Sequence, residues 1–157
     1  LSKTFFISLK LHNVAGEEVS DNFYWLSTSP DIQGSKEEIK IESDWDVLKA
    51  DPESYADFTD LNDLPKVKID ADYEAEQDGS ETIVKVKLRN TGFNLAFQVH
   101  LALLKAEGGD EISPVYWDDN YVNIMPGESR TISARYLNDD TVRSEIYLKI
   151  DGWNVEN

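Results

Sequence analysis

Cysteine is absent from this chain of 157 residues, which excludes disulfide bonds, thiolate metal sites and a cysteine nucleophile. Histidine occurs only twice, as His12 and His100. Neither belongs to an HExxH or HxH motif, so the sequence predicts no transition-metal site. The phosphate-binding motifs GxxxxGKS/T and GxGxxG and the GxSxG nucleophile elbow are also missing. We therefore expect no metal, no nucleotide and no other cofactor.

Basic residues are few: 15 stand against 31 acidic residues, which gives a formal net charge of −16 at pH 7. This charge disfavours binding to nucleic acids and to anionic membranes, and its spread along the chain is typical of a solvated surface. Apolar runs long enough to cross a bilayer are absent, and the first residues do not resemble a signal peptide. Because the strand pattern begins a few residues after Leu1, we expect a fragment of a longer polypeptide, with any targeting signal upstream.

A long 3.6-residue periodicity is missing too, and from Pro65 onward apolar and polar residues alternate instead. Turn signals such as Asp78-Gly79 and Gly108-Gly109 separate about seven short strands. The pattern predicts an all-β fold, an antiparallel β-sandwich that is immunoglobulin-like in architecture only, since the cysteine pair of antibody domains is missing. The alternation further predicts that one core receives Val67, Ile69, Leu95, Phe97, Val99, Leu101, Ile132, Ile146 and Leu148.

The first 64 residues follow a different pattern. Apolar residues at every second position predict a β-hairpin over residues 4–28, and an isolated hairpin is only marginally stable in water. Residues 30–64 are interpreted as a linker. We expect a single helical turn to begin at Asp51-Pro52, and we expect large apolar side chains to pin the linker, namely Trp45, Tyr55, Phe58 and Leu61.

The stretch 114–121, Pro-Val-Tyr-Trp-Asp-Asp-Asn-Tyr, predicts a strand that ends in a polar corner, and a Pro-Gly turn follows at 126–127. One interpretation is a sandwich corner with Trp117 half in the core. The other is a functional surface, in which aromatic residues stack on sugar rings or contact another domain; the candidates are Trp45, Tyr116, Trp117, Tyr121 and Trp153. Four carboxylate pairs lie in predicted loops or strand ends without a predicted cleft: Asp44/Asp46, Asp57/Asp60, Asp118/Asp119 and Asp139/Asp140.

Five motifs in a fixed order resemble family 2 glycoside hydrolases, in the branch of exo-β-D-glucosaminidases and β-mannosidase-like enzymes. The first is similar to the last strand of the sandwich that follows their catalytic barrel. The second resembles the linker into their last domain, and the others resemble segments of that domain. In order, the motifs are Asn22–Ser27, Ala56–Pro65, Asn90-Thr91-Gly92 with Ala96–Leu101, Pro114–Tyr121 with Met125–Ser129, and Gly152-Trp153-Asn154.

The resemblance implies a domain plan. Residues 1–29 would be the closing hairpin left over from the preceding sandwich domain, 30–64 a linker, and 65–157 a complete C-terminal immunoglobulin-like domain. The catalytic glutamates of the family lie on the barrel, so no catalytic residue is carried over and no hydrolysis is expected from this chain. The implied partners are the barrel and the preceding immunoglobulin-like domain of the same parent chain, and the implied location of the parent is secreted or periplasmic.

These considerations favour a non-catalytic accessory domain of an enzyme that acts on β-linked sugars. Two alternatives come from other classes: a carbohydrate-binding module that makes weak sugar contacts through exposed aromatics, and a generic adhesion or spacer module. If the hairpin has lost its original neighbours, we also expect self-association through residues 4–28, because exposed strand edges and apolar faces recruit partners.

Overall fold

A computed structural model of the chain describes residues 2–33, 52–138 and 146–156. The chain divides into two compact units, residues 1–64 and 65–157, called here the N-terminal and C-terminal units. The sequence predictions for Trp45, Asp44, Asp46, Asp139 and Asp140 lie outside the described residues. Apart from one short 3-10 helix, the regular structure in the described ranges consists of strands, so the predicted all-β class is confirmed.

The N-terminal unit begins with the predicted hairpin, formed by β1 (Thr4–His12) and β2 (Glu18–Ser27). At its turn, the Asn13 side-chain oxygen accepts hydrogen bonds from the backbone N–H groups of Ala15 and Glu17 at 2.9 and 3.0 Å. The register places apolar side chains of both strands on one face. Several of them are substantially exposed, namely Phe5, Leu9, Leu11, Tyr24 and Leu26.

The helical turn expected at Asp51-Pro52 is wrong. Residues Pro52–Ser54 form strand β4, which pairs with β3 (Ile32–Gln33). The Ser54 hydroxyl also donates a hydrogen bond to the carbonyl of Pro30 at 2.9 Å. Strand β4 is therefore bonded to β3 and to the residue that lies two positions before β3. A lone helical turn offers no comparable set of bonds.

The 3-10 helix lies further on, at Thr59–Asp63. Asp60 ties it to the start of β1 by accepting a hydrogen bond from the backbone N–H of Lys3 at 2.6 Å. Of the residues expected to pin this segment, Leu61 is buried, whereas Tyr55 is exposed and Phe58 lies at the border of exposure. The pinning prediction is therefore right for Leu61 and wrong for Tyr55.

The C-terminal unit is an antiparallel sandwich, as predicted. Its seven described strands are β5 (Ile69–Asp78), β6 (Glu81–Asn90), β7 (Ala96–Leu104), β8 (Tyr116–Trp117), β9 (Val122–Ile124), β10 (Ser129–Leu137) and β11 (Tyr147–Asp151). One sheet has the order β5-β6-β10-β8 and the other has the order β11-β7-β9. The apolar core includes Val84, Val86, Leu88, Val99, Leu101, Leu103, Ile124 and Ile132.

A β-bulge in β7 changes part of the predicted core face. The register between β7 and β9 shifts between Ala96 and Val99, and Gln98 adopts a φ of 54°. Ala96 and Val99 both belong to the core as a result, although strict alternation would place them on opposite faces. Phe97 is buried outside that core cluster and packs edge-on against Trp153, with ring centroids 6.3 Å apart.

The prediction of one shared core face is therefore wrong for Phe97 and for Leu95, which is half-buried and also lies outside the cluster. It is confirmed for the remaining residues, two of which, Ile69 and Leu148, are only partly buried. The confirmed set is Val67, Ile69, Val99, Leu101, Ile132, Ile146 and Leu148.

The strand predicted in the stretch 114–121 is limited to Tyr116 and Trp117, and the residues just before it contact the other sheet. The backbone N–H of Ile112 donates to the carbonyl of Leu103 in β7 at 2.8 Å. After Pro114, which has no N–H to donate, Tyr116 and Trp117 pair with Arg135 and Ala134 of β10. The segment thus crosses from one layer of the sandwich to the other.

Candidate functional site

The polar corner at residues 118–120 is part of the framework. The Asp118 carboxylate accepts a hydrogen bond from the backbone N–H of Ser133 at 2.8 Å. The Asn120 side chain accepts from the N–H of Leu101 at 2.9 Å and donates to the carbonyl of the same residue at 3.0 Å. Asn120 therefore acts as an additional strand partner for β7, and the corner interpretation holds for these two residues.

Tyr121, the next residue, has an unusual backbone. Its φ is 56°, a left-handed conformation that is unfavourable for a residue with a bulky side chain. Its side chain is 57 % exposed, and its ring stacks on that of His100 with centroids 4.6 Å apart and planes inclined by 25°. The exposed ring of Tyr121 is thus held in position by two neighbours. Asn120, the preceding residue, anchors the backbone, and His100 stacks against the ring.

His100 is fixed in turn by strand β11. Asp151 lies opposite His100 in the register between β7 and β11, and its carboxylate is 2.9 Å from His100 Nδ1. Because a carboxylate accepts hydrogen bonds, Nδ1 carries the proton and Nε2 of the neutral ring presents a lone pair. Lys149 Nζ lies 3.1 Å from the other oxygen of Asp151.

The charge of Asp151 follows from these contacts. Burial raises the pKa of the Asp151 carboxyl, but the hydrogen bonds from Lys149 and His100 outweigh this effect, and the net pKa lies below its ordinary value of 3.8. Asp151 is therefore an ionised hydrogen-bond acceptor at neutral pH, and it holds the imidazole in one orientation.

The other candidate aromatics have different neighbours. Tyr116 is exposed, and the Arg135 guanidinium lies 5.6 Å from the centre of its ring. Trp117 is half-buried against the core, as the corner interpretation predicts. Trp153 is half-exposed, beside Phe97. In the described contacts, Tyr116, Tyr121 and Trp153 therefore share no common partner. Their proposed contact with sugar stays a prediction.

His100 and Asp151 were not predicted as site residues. From the sequence, His100 was considered only as one of two histidines without a metal-binding motif, and Asp151 was not singled out. They meet because β7 and β11 are paired although they are about 50 positions apart in the chain. A single sequence carries no signal for that register.

The carboxylate pairs within the described ranges serve the local backbone. Asp57 accepts hydrogen bonds from Lys3 and Thr59, and Asp119 forms an ion pair with Arg130 at 3.1 Å. Among the described residues, no group of three or more His, Asp or Glu side chains is arranged to hold a metal ion. No helix in these ranges is long and apolar enough to span a membrane.

Comparison with known proteins places this sandwich in a family. A family model of the exo-β-D-glucosaminidase Ig-fold domain matches residues 47–155. An exo-β-D-glucosaminidase of Streptomyces avermitilis is 37% identical over 161 aligned residues, covering 99% of this chain and 17% of that protein. The enzyme of the same name from Amycolatopsis orientalis is 35% identical, covering 99% of this chain and 14% of that protein.

A solved structure agrees with the sequence matches. The exo-chitosanase CsxA of Amycolatopsis orientalis superposes on 99% of this chain with a TM-score of 0.84 and 32% identity, using 18% of its own chain. The chain thus spans about a sixth of the length of the relatives that it matches. The resemblance seen in the sequence is confirmed: the chain belongs to the exo-β-D-glucosaminidase Ig-fold domain family, in the family 2 glycoside hydrolases.

Proposed function

We propose that this chain is a non-catalytic accessory region of an exo-β-D-glucosaminidase, and that the catalytic barrel lies elsewhere in the parent chain. The observation that carries the proposal is coverage. Nearly the whole chain aligns with exo-β-D-glucosaminidases, yet it accounts for only 17% of the Streptomyces avermitilis enzyme. A chain of this size leaves room in the parent for a catalytic domain and further sandwiches.

The chemistry of the described residues supports a structural role. Glycoside hydrolysis by a pair of carboxylates requires two groups that face each other across a sugar. Asp57, Asp60 and Asp118 instead accept hydrogen bonds from the backbone and hold strand ends in place. The sandwich supplies a buried apolar core and a preformed surface, which suits a domain that stabilises a neighbour by docking against it.

The partners in this proposal are the barrel and the preceding immunoglobulin-like domain of the same parent chain. The parent would act on β-D-glucosaminides, the class of substrate named by its relatives. Since a polymer of amino sugars is too large to enter a cell intact, we place the parent outside the cytoplasm, secreted or periplasmic. Fractionation of the source cells with an antibody against this chain tests the location, and a signal confined to the cytoplasm would contradict it.

The direct test of the catalytic part is a hydrolysis assay. The purified chain is incubated with 4-nitrophenyl β-D-glucosaminide, with the Amycolatopsis orientalis enzyme as positive control. We expect no release of nitrophenol above the uncatalysed rate. Release that scales with the concentration of this chain, and that survives repeated purification, would refute the proposal.

A second function, carbohydrate binding, is favoured by one specific observation. Tyr121 is an exposed aromatic residue held in a left-handed backbone conformation and stacked on His100. Strained backbone conformations are retained mainly where the surroundings or the function require them.

A further inference from the structure

We propose that Tyr121, His100 and Asp151 form a weak binding site for a sugar ring that carries a protonated amine. These three residues are called the Tyr121 platform. The platform lies on the sheet β11-β7-β9, and each member belongs to or directly adjoins one of its strands. The choice of an amino sugar rests on the proposed function, whereas the choice of residues rests on geometry alone.

The ring of Tyr121 offers a flat surface to a ligand. His100 covers one face of the ring at a centroid distance of 4.6 Å, yet 57 % of the residue remains accessible. Because His100 occupies one face of the ring, a ligand can stack only on the opposite face. A pyranose whose substituents are all equatorial presents a flat set of C–H groups, and such a surface stacks well on an aromatic face.

The Tyr121 platform is preorganised by its neighbours. The backbone of Tyr121 occupies a region that glycine or asparagine adopts more easily. Asn120, the residue before Tyr121, is held in place by two hydrogen bonds to Leu101. Asp151 holds the imidazole of His100 against the Tyr121 ring. A ligand that stacks on Tyr121 therefore loses little affinity to the ordering of the protein.

Two polar atoms of the Tyr121 platform are available to a ligand. Within the part of the chain that the structure describes, the Tyr121 hydroxyl and His100 Nε2 make no hydrogen bond. With Nδ1 donating to Asp151, Nε2 is an acceptor whenever the imidazole is neutral. A sugar hydroxyl or an ammonium group is a suitable donor.

The negative charge of the chain favours sugars that carry a positive charge. The chain has a formal net charge of −16, which attracts cationic ligands and repels anionic ones over distances comparable with the Debye length. The negative face of an aromatic ring also attracts a ligand cation. An oligomer of β-1,4-linked glucosamine satisfies the requirements for a flat ring, for donors and for positive charge.

The test is a titration of the full chain, followed by two-dimensional NMR, with the fully deacetylated chitosan hexamer near neutral pH. We expect binding with a Kd of about 1 mM and the largest shifts at His100, Tyr121 and Asp151. Cellohexaose, which has the same linkage without the amine, should bind more weakly, and added salt should reduce only the difference between the two. Equal affinity for both hexamers would overturn the role of the amine.

Two tyrosines of equal exposure provide a matched comparison, since Tyr116 and Tyr121 are each 57 % exposed. Tyr121→Ala should weaken binding by about fivefold to tenfold, whereas Tyr116→Ala should leave it unchanged. His100→Phe keeps a ring beneath Tyr121 and removes Nε2, so it should weaken binding severalfold. Tyr121→Gly, which tolerates the positive φ, shows whether any loss in the alanine variant reflects misfolding.

Three results would overturn the site: no binding by the wild-type chain at about 10 mM hexamer, equal binding by wild type and Tyr121→Ala, or loss of binding in Tyr116→Ala. None of them bears on the accessory role, which is tested by hydrolysis and by the stability of the parent enzyme. Failure of the platform and failure of the proposed function are thus separate outcomes.

Discussion

Asn154 offers the sharpest test of how the C-terminal unit is held together. Its side chain is only 1% exposed and makes three hydrogen bonds. The backbone N–H of Phe97 donates to its oxygen at 2.8 Å, and its amide nitrogen donates to the carbonyls of Pro65 and Leu95 at 2.7 and 2.8 Å. One buried side chain thus connects the start of the sandwich, the start of β7 and the C-terminal segment.

The expected loss of unfolding free energy follows from these three hydrogen bonds. Asn154→Ala leaves one N–H and two carbonyls without their partner, and at about 1 kcal/mol for each hydrogen bond the unfolding free energy should fall by about 3 kcal/mol. Asn123→Ala is the matched control, because Asn123 accepts a single bond, from the N–H of Gln98 at 3.0 Å, and should lose about 1 kcal/mol.

Asn154→Asp separates hydrogen bonding from side-chain volume. The carboxylate keeps the acceptor for Phe97 but faces the carbonyls of Pro65 and Leu95, so the charged form is unfavourable in the fold and its pKa should be raised. A raised folded pKa means that this destabilisation is present above the unfolded pKa and is relieved as pH falls. We therefore expect Asn154→Asp to recover part of its stability in mild acid, whereas Asn154→Ala should not.

The assay is urea unfolding followed through resolved amide signals of β6 and β7, so that the C-terminal unit is monitored by itself. The m-value should not change if the variants alter only the native state. A loss for Asn154→Ala within about 0.5 kcal/mol of that for Asn123→Ala would refute the assignment of Asn154 as the connecting residue.

Three further outcomes are expected. Phe97→Ala should lower the unfolding free energy by about 3–5 kcal/mol, because the ring is 2% exposed and packs on Trp153; an unchanged urea midpoint would contradict its burial. Lys3 and Thr59 hold the pKa of Asp57 well below its ordinary value of 3.8, so their contact stabilises the N-terminal unit above that pH and is lost progressively at lower pH. The protection factor of the Thr59 amide, which donates to Asp57, should therefore fall in acid in the wild type but stay constant with pH in Asp57→Asn. Finally, the full chain should self-associate through residues 4–28 while a chain of residues 65–157 stays monomeric, and sedimentation that gives monomeric mass for both would contradict this.

The strands were predictable because apolar and polar residues alternate along the sequence. Along β6 the buried residues Val84, Val86 and Leu88 alternate with exposed lysines, and this period-two signal depends only on neighbouring positions. The hairpin β1–β2 was predictable from the same alternation, although several of its apolar side chains are exposed. These local signals were enough to place the chain among antiparallel sandwiches.

The departures from the prediction have non-local causes. The bulge at Gln98 depends on how β7 meets β9, and the crossing at Pro114 depends on which sheet offers a partner on each side of that residue. The same reasoning applies to the Tyr121 platform. Tyr121 was a candidate because it is aromatic and adjoins a polar corner, but its link to His100 and Asp151 requires the order β11-β7-β9.

We propose that this chain stabilises an exo-β-D-glucosaminidase and takes no part in its chemistry. The most direct test uses the Amycolatopsis orientalis relative, whose matching segment is aligned to 99% of this chain. Three proteins are compared: the intact relative, the relative without that segment, and the relative with this chain in its place. Thermal unfolding and the rate of glucosaminide hydrolysis are measured for each.

We expect deletion to lower the Tm by several degrees or to abolish soluble expression, and we expect this chain to restore most of the lost stability. The kcat of the chimera should match that of the intact relative, since no catalytic group has been exchanged. A deletion variant with unchanged Tm, or a stable chimera whose kcat falls by orders of magnitude, would contradict a stabilising, non-catalytic role for this chain.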